Sequence, residues 1–160
     1  MRIFNKFMTT IVYKKGDATK PESEKKKLII HVCNNIGKWG KGFVLALSKK
    51  WKEPEKDYRE MNKYKLGDVK FIKVTDDIVI ANMIAQDGIN RKGTPFICRI
   101  NYVALEACLE KVKQYAEDYN LSVHMPKIGC GLGGGDWNII QEIIRKKLDE
   151  LDIYVYNFDE

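Results

Sequence analysis

The chain has 160 residues, of which 44% are hydrophobic and 31% charged, and its formal net charge is +6. This length and composition predict a single soluble globular domain, residues 1–160, with a sizeable core. No apolar run is long enough to span a bilayer, and a chain of this size does not need disulfides to fold. The N-terminus lacks an apolar signal core, so we expect a cytoplasmic protein.

The charged residues and the cysteines exclude several kinds of site. The net charge of +6 predicts a modest attraction to polyanions. Because the lysines stand among acidic residues along the chain, specific nucleic-acid binding is not supported. Two histidines are too few and too scattered for a metal site, and no pattern indicates a cofactor. The four cysteines form no CxxC pair. Only Cys130 is a candidate nucleophile, and we favour a packed thiol because no histidine can be placed beside it.

The first half of the chain predicts strands followed by short helices. Leu28–Val32 is a continuous apolar run, typical of a strand buried on both faces. The acidic TDD segment separates two β-rich runs and predicts a hairpin. The predicted strands are Ile3–Tyr13, Leu28–Asn34, Val69–Val74 and Ile78–Met83, and the predicted helices are Gly42–Trp51 and a turn from Pro54 through Met61.

The second half predicts two amphipathic helices that alternate with strands. Apolar residues recur at helical spacing in Asn101–Tyr119 and in Trp137–Leu151, and Asp136 is well placed to cap the second helix. The remaining strands are Ser122–Met125 and Ile153–Phe158. This alternation predicts an α/β fold, a three-layer α/β/α sandwich with a mixed, mostly parallel sheet.

Two glycine-rich segments each lie between a predicted strand and a helix. PKIGCGLGGGDW, Pro126–Trp137, contains five glycines, and IGKWGKGF contains three. Glycine allows positive φ and close approach of a ligand to backbone amides, and the start of the following helix favours negative charge. Ordinary turns are the alternative interpretation. Together the segments predict a diphosphate cradle, although neither contains the GK[ST] of a P-loop.

Four segments taken together resemble the macro domain, the ADP-ribose-binding fold. They are GDAT, HVCNN-IGKWGKG, IANMIAQ and MPKIGCGLGGGDW, and the resemblance covers nearly the whole chain. The nearest branch contains the terminal ADP-ribose protein glycohydrolase and the ADP-ribose 1''-phosphate phosphatase. The resemblance implies binding of ADP-ribose, or of an ADP-ribosylated or phosphorylated derivative. It also implies hydrolysis of a group from the distal ribose, of the phosphatase or the de-ADP-ribosylation type.

The resemblance assigns ligand contacts residue by residue. Asp17 matches the acidic residue that accepts from the adenine amine, and capping of a turn is its alternative role. Phe158 or Tyr156 would form an apolar wall beside adenine, unless it packs in the core. Asn34 and Asn35 match the region beside the distal ribose, and the sequence does not decide which of the two points towards the ligand. The implied phosphate loops are Gly40, Lys41 and Gly42, and then Ile128, Gly129, Cys130, Gly131, Leu132 and Gly133.

The predicted catalytic residues depart from the glycohydrolase pattern. Gly133 stands where that branch carries an aspartate, and Gln86 where it carries a lysine, so lysine-linked glycohydrolysis is not expected. The phosphatase interpretation keeps Asn34, Lys41 and His31 as catalytic candidates, with His31 more suited to a structural role in its buried strand. Lys38 and Asp87 are further candidates beside the distal ribose. A catalytically silent reader of ADP-ribose is the alternative function.

Overall fold

A six-stranded sheet forms the centre of the described part of the protein. A computed structural model describes residues 9–158, and in it the strand order is β1-β6-β5-β2-β4-β3. Five strands run parallel to their neighbours, and β3 pairs antiparallel with β4. The strands are β1 Ile11–Lys15, β2 Lys26–Asn34, β3 Val69–Lys73, β4 Ile78–Gln86, β5 Leu121–Met125 and β6 Ile153–Asn157. The helices in this range are α1 Phe43–Lys50, α2 Glu53–Arg59, α3 Tyr102–Tyr119 and α4 Trp137–Lys147.

Alternating side chains of β2 separate the two layers of helices. Leu28 and Ile30 belong to the core cluster that contains the buried faces of α3 and α4. Ile29 and Cys33 belong to a second cluster, with Leu47 of α1 and Tyr58 of α2. Because successive strand residues point to opposite faces, β2 is buried on both sides. The predicted α/β/α sandwich with a mixed, mostly parallel sheet is therefore confirmed.

The ends of several elements differ from the prediction. Within the described residues, β1 begins at Ile11 rather than Ile3, and residues 3–8 lie outside the described range. β4 continues to Gln86, past the predicted end at Met83, because β2 pairs with it along its whole length. α4 ends at Lys147, four residues before the predicted Leu151. None of the helices in residues 9–158 has the length and apolar content needed to cross a membrane.

The parallel strands bring the predicted site segments to one edge of the sheet. The loops after β1, β2, β4, β5 and β6 all start at the carboxyl ends of parallel strands. GDAT follows β1, the two glycine-rich segments follow β2 and β5, and Phe158 follows β6. In α/β sheets this edge is the usual place for ligands. Segments far apart in sequence thus meet at the carboxyl edge.

Candidate functional site

Asp17 lies in a tight turn at the end of β1, beside a cavity of about 540 Å³. The turn is fixed by the Gly16 amide, which donates to Asn157 O at 3.1 Å. Asp17 Oδ1 accepts from both the amide and the hydroxyl of Thr19, each at 2.8 Å. Asp17 Oδ2 has no protein partner among residues 9–158. The carboxylate therefore caps its own turn and keeps one oxygen available to a ligand.

Two aromatic residues line the same cavity in different ways. Tyr156 is only 5% exposed, and its hydroxyl accepts from the Glu22 amide at 3.0 Å and bonds His124 Nδ1 at 2.8 Å. Phe158 is 72% exposed. Both residues border the cavity together with Asp17. Tyr156 thus forms a fixed wall, whereas the Phe158 ring is free to stack on a flat ligand.

The loop after β2 is shaped by the Asn34 side chain. Asn34 Oδ1 accepts from the amides of Ile36 and Lys38, each at 3.1 Å, and from the Tyr58 hydroxyl at 2.9 Å. Its Nδ2 donates to Lys38 O at 2.8 Å. These four hydrogen bonds use its polar atoms within the protein. Asn34 therefore positions the loop.

Asn35 faces the loop after β4 instead. Its Nδ2 donates to Asp87 Oδ1 at 3.0 Å, and its Oδ1 accepts from the Gly88 amide at 2.9 Å. Asp87 is exposed, and its own amide donates to Arg99 O at 2.7 Å. The pair places an oriented carboxylate at the carboxyl edge, between the ends of β2 and β4.

The amides of Gly40, Lys41 and Gly42 donate to no group within residues 9–158. They lead directly into α1, which begins without a side-chain cap after Gly42 at φ +81°. A helix start without a cap leaves its first amides available to an anion. This loop therefore presents a row of free donors.

The second glycine loop, between β5 and α4, closes on itself and presents a second row of free amide donors. Gly135 N donates to Gly129 O at 2.8 Å, which closes the loop. The amides of Gly131, Leu132 and Gly133 have no acceptor in the described part of the chain. Leu132 Cδ1 lies 3.3 Å from the place where a Cβ on Gly42 would be, so the two glycine loops face each other.

The α4 helix start itself is already occupied. Asp136 is its N-cap, as predicted, and Asp136 Oδ1 accepts from Asn138 N at 2.8 Å. A carboxylate at this position satisfies one of the free amides and the positive end of the helix dipole. An anion at this helix start would therefore compete with the Asp136 carboxylate. The loop amides, together with the start of α1, remain as donors.

Space around Gly133 explains the run of glycines in this loop. A Cβ on Gly133 would lie 2.7 Å from Ile100 Cδ1 and 2.9 Å from Gln86 Oε1. A Cβ on Gly135 would lie 2.7 Å from Gly129 O, and one on Gly134 would lie 2.7 Å from Ile97 O. Positions 86 and 133 are thus neighbours in the structure. The resembled glycohydrolases carry a lysine and an aspartate there, whereas this chain has the side-chain amide of Gln86 and a glycine without a side chain.

The remaining sequence candidates have different environments. His31 is 2% exposed and bonds Asn82 Oδ1 at 2.5 Å, and burial lowers its pKa to about 4. It packs edge-on against Trp39, 5.6 Å between ring centres, so it lies in the core and is not presented at the carboxyl edge. Lys41 is exposed. Burial raises the pKa of Cys130 to about 11, which keeps the thiol protonated at neutral pH.

Two residues of the site were not identified from the sequence. Tyr58 of α2 is fully buried and donates to both Asn34 O and Asn34 Oδ1. Asn90, in the loop between β4 and α3, donates to Ile97 O at 2.8 Å and to Leu132 O at 3.2 Å. Asn90 thereby ties that loop to the second glycine loop. A single asparagine in a polar loop carries no sequence signal for such a role.

Comparisons with known proteins place the chain among proteins of this architecture. No family model matches it. It is 33% identical over 164 residues to the mouse (Mus musculus) chromodomain-helicase-DNA-binding protein 1-like. This alignment covers 94% of the chain but only 18% of the length of that relative. It is 30% identical over 142 residues to an ADP-ribose 1''-phosphate phosphatase of Candida albicans, covering 82% of this chain and 88% of the relative.

A comparison with a solved structure also relates this chain to a macrodomain protein. A macrodomain protein from Streptomyces coelicolor superimposes with a TM-score of 0.79 at 37% identity. The match covers 92% of this chain and 99% of that protein. The resemblance predicted from GDAT, the two glycine loops and their spacing is confirmed: the chain belongs to the macro domain family.

Proposed function

We propose that the protein binds ADP-ribose, or a derivative of it, along the carboxyl edge and hydrolyses a group from its distal ribose. The observation that carries the proposal is the pair of facing loops with free amides, at residues 40–42 and 131–133. Rows of unpaired amides in a glycine-rich turn bind anions, and a diphosphate fits between two such rows.

The cavity beside Asp17 supports an adenine at the other end of the same edge. Asp17 Oδ2 is available to accept from the adenine amine, and the exposed ring of Phe158 can stack on the base. In this arrangement the distal ribose extends past the glycine loops towards Gln86 and Asp87. The adenine and diphosphate contacts fix the ligand so that its distal end is presented to the Asn35–Asp87 pair.

The reaction that this arrangement supports best is removal of a phosphate from ADP-ribose 1''-phosphate. Asp87 would accept a proton from a water whose oxygen forms a bond to phosphorus. As the bond between phosphorus and the ribose oxygen breaks, Asp87 would return this proton to the departing oxygen, giving ADP-ribose and inorganic phosphate. Lys41, exposed beside the amides of the first glycine loop, would neutralise the phosphate. The name of the Candida albicans relative, 30% identical, supports this choice of substrate.

One observation favours the second candidate, a silent reader of ADP-ribose. The contact between Gln86 and Gly133 leaves neither an amine nor a carboxylate at the positions that lysine-linked glycohydrolysis uses. A site that lacks those groups but keeps the amide rows would bind without catalysis. The two functions differ in one measurable property, the release of a product.

Calorimetry and phosphate release test the proposal together. We expect micromolar binding of ADP-ribose, a loss of about tenfold or more in affinity for Asp17→Ala, and phosphate release from ADP-ribose 1''-phosphate. Asp87→Asn should lower kcat at least about 100-fold, whereas Asp76→Asn, an exposed carboxylate on the β3–β4 turn, should not. Binding without release would establish the reader; no binding at millimolar ADP-ribose would overturn both.

A further inference from the structure

The tip of the second glycine loop is a hydrogen-bonded β-turn over residues 131–134. Gly134 N donates to Gly131 O at 3.1 Å, so Leu132 and Gly133 are the two central residues. Neither of them has a positive φ, and their peptide bonds are trans. A hydrogen-bonded turn with trans peptides and a negative φ at both central positions is of type I. The peptide that joins Leu132 to Gly133 therefore has the type I orientation.

This central peptide has a second orientation open to it. Turning it over converts a type I turn into type II, which needs a positive φ at the third residue, and glycine adopts one readily. Gly133 holds that position. The C=O and N–H of a trans peptide point in opposite directions. The turnover would therefore replace the Gly133 amide, on the side where the proposed diphosphate lies, by the Leu132 carbonyl oxygen, which repels an anion.

Asn90 holds the central peptide from outside the turn. Its Nδ2 donates to Leu132 O at 3.2 Å. The Asn90 side chain is itself fixed by Ile97, because Nδ2 donates to Ile97 O at 2.8 Å and Oδ1 accepts from Ile97 N at 3.1 Å. The neighbouring carbonyl oxygens, of Gly131 and Gly133, accept from backbone amides instead. The side chain of Asn90 thus acts on the one peptide whose orientation the turn leaves open.

We propose that Asn90 is a positioning residue for diphosphate binding. By holding Leu132 O it selects the type I turn and keeps the Gly133 amide directed at the ligand. This inference rests on the proposed function, in which that amide contacts the diphosphate. Asn90 acts only through the turn, so its loss should weaken the binding of ADP-ribose and leave the binding of adenosine, which has no diphosphate, unchanged.

NMR of the full chain without ligand tests the state of the turn. The Leu132 Hα and the Gly133 amide proton are close together in a type II turn and farther apart in type I, so their NOE is strong only in type II. We expect a weak NOE in the wild type and a strong one in Asn90→Ala. The matched control is Thr94→Ala, which removes a hydroxyl that donates to Arg91 O within the same loop, and its NOE should stay weak. A strong NOE in the wild type, or a weak one in Asn90→Ala, overturns the inference.

Calorimetry connects the turn to the ligand. Asn90→Ala should bind ADP-ribose about tenfold more weakly than the wild type and adenosine equally well, and Thr94→Ala should match the wild type with both ligands. An unchanged affinity for ADP-ribose, or an equal loss for both ligands, overturns the inference.

A second variant covers the case in which Asn90→Ala does not fold. Asn90→Asp keeps an oxygen that accepts from Ile97 N but has no N–H for Leu132 O, so its NOE should also become strong. A weak NOE in Asn90→Asp overturns the inference. Failure of the wild type to bind ADP-ribose at all would overturn the proposed function, and this inference with it, whatever the NOE shows.

Discussion

Gly133 shows how the space around a single position decides whether the second glycine loop can accept a side chain there. Its missing side chain leaves room for Ile100 Cδ1 and Gln86 Oε1, which approach to within 3 Å of the place where a Cβ would be. Gly131, two residues earlier, has no atom within 4 Å of that place. Neither glycine has a positive φ, so the two positions differ mainly in space.

We therefore predict that Gly133→Ala lowers the free energy of unfolding by about 1–3 kcal/mol, because the new methyl group overpacks a filled space. Gly131→Ala should change it by less than about 0.5 kcal/mol. Urea unfolding of both variants measures the difference. Adding Ile100→Val to Gly133→Ala should recover part of the loss, since it shortens the closest neighbour. Equal stability of the two alanine variants would contradict this account of Gly133.

The two neighbouring asparagines show what the sequence alone does not decide at this scale. Their pattern indicated a position beside the distal ribose for both Asn34 and Asn35. In the structure Asn34 accepts a hydrogen bond from Tyr58, a residue 24 positions later on α2, and Asn35 donates to Asp87 in the loop after β4. These contacts arise between elements that are distant in sequence. No local pattern therefore separates the two side chains.

At the scale of elements, periodic patterns located every strand and helix described here, while their ends depended on neighbours. The apolar stripes of α3 and α4 repeat over several turns, so their positions were predictable. β4 was predicted too short because its last residues are ordered by pairing with β2. α4 was predicted too long because Leu148 and Leu151 continue the apolar spacing, although the helix ends at Lys147. Residues in a turn after a helix can therefore be buried at helical spacing without being part of the helix.

The capping of α4 by Asp136 leads to a prediction about which elements hold phosphate. If ADP-ribose binds, its diphosphate should contact the free amides of residues 40–42 and 131–133 and not the first turn of α4. Hydrogen exchange measured with and without ADP-ribose should show slower exchange at those two rows. The Asn138 amide, already bonded to Asp136, should be unaffected. Protection confined to the start of α4 would contradict this assignment.

At the scale of the whole molecule, the fold followed from the alternation of strands and helices, and the site followed from the parallel order of the strands. Five parallel strands bring five loops to one edge, so motifs far apart in sequence could be combined into one site. The cross-links between these loops, such as Asn90 to Leu132, could not be predicted. They depend on how two irregular segments pack, and irregular segments carry no periodic signal.

The two buried histidines, His31 and His124, predict how the free energy of unfolding depends on pH. His31 lies in the core beneath α1, and His124 lies on the sheet, bonded to Ser122 and Tyr156. Burial lowers the pKa of His31 to about 4 and that of His124 to about 3, from an ordinary value of 6.5. Both imidazoles are therefore neutral in the folded protein at every pH above about 4.

Below pH 6.5 the unfolded chain takes up protons at these histidines and the folded protein does not, so stability falls as pH falls. We expect a slope approaching roughly 1.4 kcal/mol per pH unit for each histidine between about pH 6 and pH 5, and a smaller slope for His31 as the pH nears its folded pKa of about 4. Urea unfolding at several pH values measures it. His124→Gln should remove about half of the histidine contribution to the slope, whatever its effect on stability at neutral pH. A variant with an unchanged slope would show that His124 is accessible to protons in the folded state.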